Sequence, residues 1–522
     1  MPAAPFPLRS PWPARGLLAL LVVLGALWWW QLGRPVALPD APSGRIACVS
    51  YAPFRLPGET PYDPHAFVSP ARIDADLRVL SQRFDCVRTY SQAYGLDAVP
   101  AIAARHGMRV LMGIWLGRRA DENAAEIARG IATARAHPEA LRGVIVGNEV
   151  LLRGELAPET LAGYVRQVRA ALPAGVPVTY ADVWEDWLRY PQMAEAVDYL
   201  TIHILPYWED EPVAPSRAVG HVAEVYARMR RAFPGRTVMI GETGWPSAGR
   251  ARRAARPSLV NEARYLRSFL TYAATVDMPY NVIETFDQPW KRAQEGTVGG
   301  YWGLYDVQAR PKFPMTGPVT EEPRWWLAWL AAAAGAGLFL GIGGRRGDRA
   351  VLALAGAGAL LALAWQLRQM SYACRNGLEW TLAGGGCLLA LIAAWGLARA
   401  LAEQVTGRPP RPLPALWYTA ALFALAWFDL LLAADGRYRD FPLGAFMPVA
   451  VGYALLAGHG ARRAALPEQR LLAAAGVLFA ALVVAQERGQ DPVTWLWLGL
   501  NLALALPLVL GGRAHQQHAA EQ

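Results

Sequence analysis

A (β/α)8 barrel over residues 44–315 and an all-α bundle of transmembrane helices over 325–511 are the fold classes predicted for this chain. Three observations predict them. Strand-like runs alternate with helix-like runs eight times between residues 44 and 315. Apolar runs close to the ~20 residues that cross a bilayer recur at the start and through the last third of the chain. Acidic and aromatic residues collect where the strand-like runs end, the face on which barrels of this kind carry their working groups.

The organisation follows in order. Residues 1–15 are a short cytoplasmic segment, 16–32 a transmembrane anchor containing "LLALLVVLGALWWW", and 33–43 a linker. After the barrel, 316–324 form a second linker, 325–511 a seven-span region and 512–522 a cytoplasmic tail. The seven runs lie near 325–343, 350–367, 379–398, 413–433, 443–460, 470–486 and 493–511. Basic residues flanking spans stay on the cytoplasmic side. Arg9 and Arg15 precede the first run, so its start lies inside and residues 33–323 outside. Alternation then puts the Arg-rich loops 343–349, 398–412 and 460–470 inside, and the leaner loops holding Arg368, Arg375, Arg437, Arg439 and Arg488 outside. A cleaved signal peptide is the competing reading of the first run; Trp28, Trp29 and Trp30 favour an anchor whose aromatic belt sits at the interface. The expected location is a bacterial inner membrane, with the barrel in the periplasm and both termini cytoplasmic. The net charge of +9 resides largely in membrane-flanking arginines, so nucleic acid is not an expected partner. Cys48 and Cys86 fall on neighbouring early strands, but the spacing of the four cysteines implies no disulfide framework.

The barrel strands are expected at 45–54, 85–91, 109–117, 142–150, 176–184, 198–208, 237–245 and 280–290. Between them, Ile73, Leu77, Leu80 and Phe84, and again Val219, Val222, Tyr226, Met229 and Phe233, recur at helical spacing. The strand ends carry Arg88 and Tyr90, Asn148 and Glu149, His203 with Tyr207 and Trp208, Glu242 and Trp245, and Glu284, Asp287 and Trp290. Apolar runs lead into both "GVIVGNEV" and "VMIGETGW", so Glu149 and Glu242 are expected at one level of strands four and seven, facing across the barrel mouth. Two such carboxyls suit glycosidic cleavage, where one protonated acid releases the leaving oxygen and one carboxylate attacks or stabilises the anomeric carbon. Gly147 and Gly241 are expected to let a sugar ring approach, and Trp245 to offer it an apolar face.

"VIVGNEV" (144–150) and "IGETGWPSAG" (240–249), with "VRTYS" (87–91) and "YWGLYD" (301–306), resemble glycoside hydrolase family 17, retaining β-1,3-glucan enzymes built on a (β/α)8 barrel. The resemblance implies Glu149 as general acid/base, Glu242 as nucleophile, Asn148 on the sugar 2-hydroxyl and Tyr207 orienting the nucleophile. "ETFDQPWK" departs from the plant-type pattern around strand eight.

Tyr90, Trp208, Trp290 and Trp302 are candidate sugar platforms, with barrel plugs as the alternative. Arg88 is expected to hold carboxylates of the site, His203 to support them or fill the core, and Glu284 to bind substrate; Glu295 is a further cleft candidate. The chemistry requires no metal and no organic cofactor. Asp429, near the end of a span, is read as an Asp–Arg helix cap or as a polar entry for polysaccharide. "GAGLFLGIGG" (335–344) is expected to let helices pack. The fused arrangement is similar to bacterial membrane β-glucan synthase or transglycosylase proteins. The expected function is a membrane-anchored transglucosylase elongating or branching β-glucan, with a tethered endo-β-1,3-glucanase or a glucan export scaffold as alternatives. Expected partners are β-glucan donor and acceptor, the bilayer and a glucan synthase or export machinery.

Overall fold

Seven of the eight expected runs become strands. In the computed structural model, which describes residues 12–344, 347–436, 439–460 and 466–520, the chain divides into two units, Val36–Val319 and Met1–Pro35 with Thr320–Gln522. The arginines Arg9, Arg345, Arg346, Arg437, Arg462 and Arg463 and the side chains of His515 and His518 lie outside the described residues.

In the first unit β1 (Val49–Ser50), β2 (Cys86–Arg88), β3 (Arg109–Ile114), β4 (Leu141–Asn148), β5 (Val178–Val183), β6 (Leu200–His203) and β7 (Val238–Glu242) pair in sequence order, every pair parallel. The eighth run closes the ring without forming a strand. Tyr280 bridges Ile240 on β7 and Val282 bridges Val49 on β1. Beyond Ile283 the backbone turns to residues 302–305: Glu284 N–H donates to Trp302 O (3.2 Å) and Tyr305 N–H to Thr285 O (2.8 Å). The run also bonds both wall neighbours, Asn281 N–H to Ile240 O (2.8 Å), Val282 N–H to Cys48 O (3.0 Å) and Thr285 N–H to Ser50 O (2.9 Å), so it closes the ring through isolated bridges while sharing its groups with residues 302–305. The result is a curled parallel sheet with helices outside, a TIM-like barrel.

Apolar spacing builds the outer layer as expected. Helix Pro70–Leu80, capped by Ser69 and opened by Pro70, buries Ile73, Leu77 and Leu80. Helix Ala218–Ala232 buries Val222, Val225, Tyr226 and Met229. Inside the sheet, Cys48, Cys86, Leu111, Ile145, Ala181 and Met239 form one packed cluster. Cys48 and Cys86 are bonded as a disulfide, which the spacing of the four cysteines did not imply: the pairing comes from strand neighbourhood, with Cα atoms 4.3 Å apart. The segments expected as linkers meet, since Val36 and Val319 exchange backbone bonds of 2.8 and 3.0 Å.

In the other unit, seven helices among the described residues are long and apolar enough to cross a membrane: Trp12–Gly33, Trp326–Gly343, Arg349–Ala373, Gly377–Gln404, Leu416–Ala434, Pro467–Gln486 and Pro492–Leu510. The run expected to span at 443–460 forms Leu443–Gly458, which has 16 residues. At 1.5 Å per residue that is about 24 Å, short of a ~30 Å hydrocarbon core. Gly335 and Gly356 touch backbone to backbone, a Cβ on Gly335 falling 2.2 Å from Gly356 O, so these small residues serve helix packing. Among the described residues Asp429 does not form the expected pair with an arginine: Arg439 is bound by Glu487 and Gln486, and Asp429 by Trp497 and Asn501.

Candidate active site

The ends of β2, β4, β6 and β7 converge on one cluster. Glu242 is the last residue of β7 and is buried. Glu149 follows β4 with φ at 52°, a left-handed turn that swings it off the strand line. Two residues before it Gly147 takes φ 84°, and a Cβ there would lie 2.9 Å from Val150 Cγ2. A Cβ on Gly241 would lie 2.4 Å from Thr201 Cγ2. Both glycines therefore serve strand packing and turn geometry, not the expected approach of a sugar. His203, the last residue of β6, lies between the two acids. Its Nδ1 is 2.8 Å from Glu149 Oε1 and 3.7 Å from Glu242 Oε2. One carboxylate oxygen of each glutamate and a His203 ring nitrogen all lie within 4.8 Å of one another. These three residues could hold a metal ion; Arg88, however, already brings a positive charge to Glu242.

That guanidinium is buried and spans the floor of the cluster. Arg88 donates to Gly241 O (2.8 Å), to Glu242 Oε1 (3.0 Å) and to Asn148 Oδ1, and stands 4.8 Å over the Tyr90 ring. Asn148 thereby has its acceptor oxygen occupied, so what its side chain can offer outward is the amide N–H2. The Tyr90 hydroxyl lies 2.9 Å from Glu242 Oε1 and 3.0 Å from Ser50 Oγ, which in turn accepts from Asn281 Nδ2 (2.8 Å). Burial, then the charge of Glu242, push the Tyr90 phenol well up, so it remains a donor.

Electrostatics separates the carboxyls. For Glu149 burial is the largest influence and raises its pKa, but the hydrogen bond and charge of His203, with Arg153 and Arg88, outweigh it, and the net shift is downward. Asp182, on β5 and bonded by Tyr180, is pushed up to about 6 by burial. Glu284 is pushed up to about 7 by burial against the pull of Lys291, whose Nζ sits 2.9 Å from its Oε1. Asp287, held by Lys312 at 2.9 Å, is pushed up to about 6 by burial.

Several expected site residues are placed differently. The Tyr207 hydroxyl donates to Arg250 O (2.8 Å), whereas Tyr90, expected as a sugar platform, donates to Glu242 Oε1 (2.9 Å). Trp245 is 1% exposed, bonded to Arg256 O and packed on Tyr207 and Tyr265; it belongs to the core, not to a sugar face. Trp302 is likewise buried, stacked on Trp208 at 6.3 Å. Glu284 is fully buried with its carboxylate taken by Lys291, and Glu295 acts on both through its charge. Trp208 and Trp290 remain part-exposed, the latter edge-on to exposed Tyr62 at 5.5 Å. Sequence reasoning missed Lys291, Arg153 and Trp115. Arg153 donates to Asn148 O and Leu116 O and lies 4.5 Å over the Trp115 ring, which is 41% exposed just beyond β3. The signal available for Trp115 was its place after a strand end in "GIWLG", where a large aromatic has no core to fill.

The model of the BtgE/BtgC glycoside hydrolase domain matches residues 48–303. A probable beta-glucosidase btgE of Aspergillus flavus is 25% identical over 276 residues, covering 52% of this chain and 44% of the relative. A glucan 1,3-beta-glucosidase of Arthroderma benhamiae is 25% identical over 264 residues, covering 47% of this chain and 83% of the relative. The first-named relative is therefore matched over less than half its length. Among solved structures, the glycoside hydrolase family 17 beta-1,3-glucanosyltransferase from Rhizomucor miehei is 26% identical, with 52% of this chain and 98% of that one covered and a TM-score of 0.46. Over residues 48–303, which include every barrel strand, this chain is similar to the BtgE/BtgC glycoside hydrolase domain.

Proposed function

We propose that the chain is a membrane-anchored, retaining β-1,3-glucan transglucosylase, with Glu242 as nucleophile and Glu149 as general acid/base. The observation that carries this reading is the carboxylate geometry: oxygens of the two glutamates within 4.8 Å suit double displacement, for which carboxyl separations of about 5–5.5 Å are usual, and leave no room for the intervening water of an inverting enzyme. Glu242, fixed by Arg88 and Tyr90, attacks the anomeric carbon. Glu149, protonated, releases the leaving oxygen and then, as base, activates the acceptor. His203 holds Glu149 toward its ionised form, so the incoming glycosidic oxygen must take over that contact as Glu149 gains its proton. Asn148 offers its amide N–H2 to the sugar 2-hydroxyl. When a sugar hydroxyl, not water, intercepts the glucosyl enzyme, the glucan is elongated or branched.

We place the barrel on the outer, periplasmic face of a bacterial inner membrane. The Cys48–Cys86 disulfide supports an oxidising compartment. Arg15 bonds Asp348, which supports an alternation that sets the start of the first helix and the start of helix Arg349–Ala373 on one side. Arg368 bonds Glu321 and Glu322 on the other. β-Glucan donor and acceptor and the bilayer are the partners in this reading, with a glucan synthase or export machinery supplying the donor. The relatives' names favour a second reading, hydrolysis by a tethered glucanase or glucosidase. Full-length protein in detergent, incubated with laminari-oligosaccharides of one length, separates them. Products longer than the donor support transfer; shorter ones alone support hydrolysis.

Two variants probe the site further. In His203→Phe, Glu149 loses the bond and charge that lower its pKa while burial continues to raise it. The acid form then persists to higher pH, so the alkaline limb of kcat/KM is expected to move upward; an unmoved or lowered limb would assign its control elsewhere. Trp115 follows β3, which pairs with β4, the strand that leads into Glu149 and the side on which leaving group and acceptor lie in this reading. Losing a stacking contact of about 1.4 kcal/mol, Trp115→Ala is expected to need about tenfold more acceptor for half-maximal transfer, with donor cleavage unchanged. Product ratios against acceptor concentration measure this.

A further inference from the structure

Among the described residues of the helical unit, one buried carboxylate has no cation bonded to it. Asp429, in helix Ala415–Ala434, is 0% exposed. Trp497 Nε1 and Asn501 Nδ2 (3.3 Å), both on helix Pro492–Ala520, donate to its Oδ1, while Oδ2 has no hydrogen-bond partner. That oxygen faces Gly476 of helix Pro467–Gln486: a Cβ there would lie 3.2 Å from Asp429 Oδ2 and 2.7 Å from Asn501 Oδ1. Two acceptor oxygens from two helices therefore border a niche that exists because the third helix carries a glycine.

The described residues around it offer no compensating charge. Arg439 donates to Leu432 O (2.8 Å), Glu487 and Gln486, so the nearby guanidinium is committed to another acid. Phe441 and Phe446 close over Trp497, with ring centroids 5.8 and 5.7 Å away. A bare carboxylate in such an interior costs far more than two neutral donors return. Toward the start of its helix, buried Thr494 continues the face of Trp497 and Asn501, and Asp491 stands at the end, a polar line from the helix terminus to the niche.

We propose that Asp429, Asn501 and Gly476 form a binding site for one monovalent cation, a proton or a sodium ion. A single carboxylate and one amide oxygen match one positive charge; a divalent ion would demand several more oxygens. The proposal concerns the helical unit and stands whether or not the barrel transfers glucose.

Infrared difference spectra of the full-length protein in lipid nanodiscs, wild type against Asp429→Asn, test it. If the occupant is a proton, a protonated-carboxyl band lost in Asp429→Asn is present at about pH 7, disappears as pH rises and ignores sodium. If it is sodium, the Asp429 carboxylate band shifts when choline chloride is replaced by sodium chloride at constant pH. A carboxylate band unmoved by sodium, with no protonated band between about pH 5 and 9, overturns the site. Gly476→Ala, which fills the niche and keeps the carboxylate, is the second variant. It is expected to shift the proton or sodium midpoint by about tenfold, or one pH unit; an unchanged midpoint overturns the niche as the binding place.

Discussion

Glu242→Ala is expected to lose about five orders of magnitude in turnover of a β-glucoside, the scale on which a covalent nucleophile's removal registers, and to regain part of it with azide as the α-glucosyl azide. Glu149→Ala is expected to behave differently. With a donor whose leaving group needs no protonation, the first step survives and the glucosyl enzyme accumulates; azide, which needs no base, then releases the β-glucosyl azide. Opposite anomers follow from geometry. In the first variant azide occupies the space of the missing carboxylate and attacks the face that Glu242 attacked, inverting once. In the second it approaches from the Glu149 side and inverts a second time. Loss of turnover alone would not separate a nucleophile from a structural glutamate, because Glu242 also anchors Arg88 and Tyr90. Product configuration, read by proton NMR, does. The same anomer from both variants would overturn the assignment.

How much of this site could be read from the chain varies with the kind of contact involved. Glu149 and Glu242 were legible because strand period and apolar approach fix the level at which a strand ends, and both acids sit where β4 and β7 stop. Arg88 was legible for the same reason, standing at the end of β2. Which phenol reaches the nucleophile was not legible. Tyr90 and Tyr207 both follow strand ends, and the choice depends on how the chain after β6 folds, where Tyr207 turns into a core of Trp208, Trp245 and Trp302. Aromatic residues at a rim read alike whether they face sugar or plug the barrel, and only packing separates buried Trp245 from exposed Trp115. The eighth strand was overread for a similar reason: the apolar run 280–290 marks a buried segment that meets β7 and β1 only at isolated bridges, and from Glu284 onward it shares its backbone groups with residues 302–305, which no local pattern reveals. The disulfide is the reverse case, since strand neighbourhood was visible and spacing rules hid its meaning.

Arg88 is where fold and chemistry depend on one side chain, and its replacements are expected to separate the two. Arg88→Met leaves Glu242 buried without its cation and the acceptor oxygen of Asn148 unsatisfied, while Gly241 O keeps its bond from Asn281 Nδ2. Breaking a buried pair in this way costs about 3–5 kcal/mol of stability, read as a lower denaturation midpoint. Arg88→Lys keeps the charge and most of the volume. A single ammonium cannot occupy the positions of two guanidinium nitrogens that hold Glu242 and Asn148 at once, so the two side chains lose their common reference. Stability is then expected to fall by less than in Arg88→Met, whereas kcat for the glucosylation step is expected to fall about 100-fold, the effect of misplacing a nucleophile by about 1 Å. Denaturation midpoints and pre-steady-state release of an aryl leaving group measure both quantities on the same samples. If Arg88→Lys turns over like the wild type, positive charge alone suffices at Glu242, and the two-point fork contributes to folding only. If it loses turnover while remaining nearly as stable, the guanidinium acts by geometry, holding the nucleophile and the 2-hydroxyl ligand in one plane.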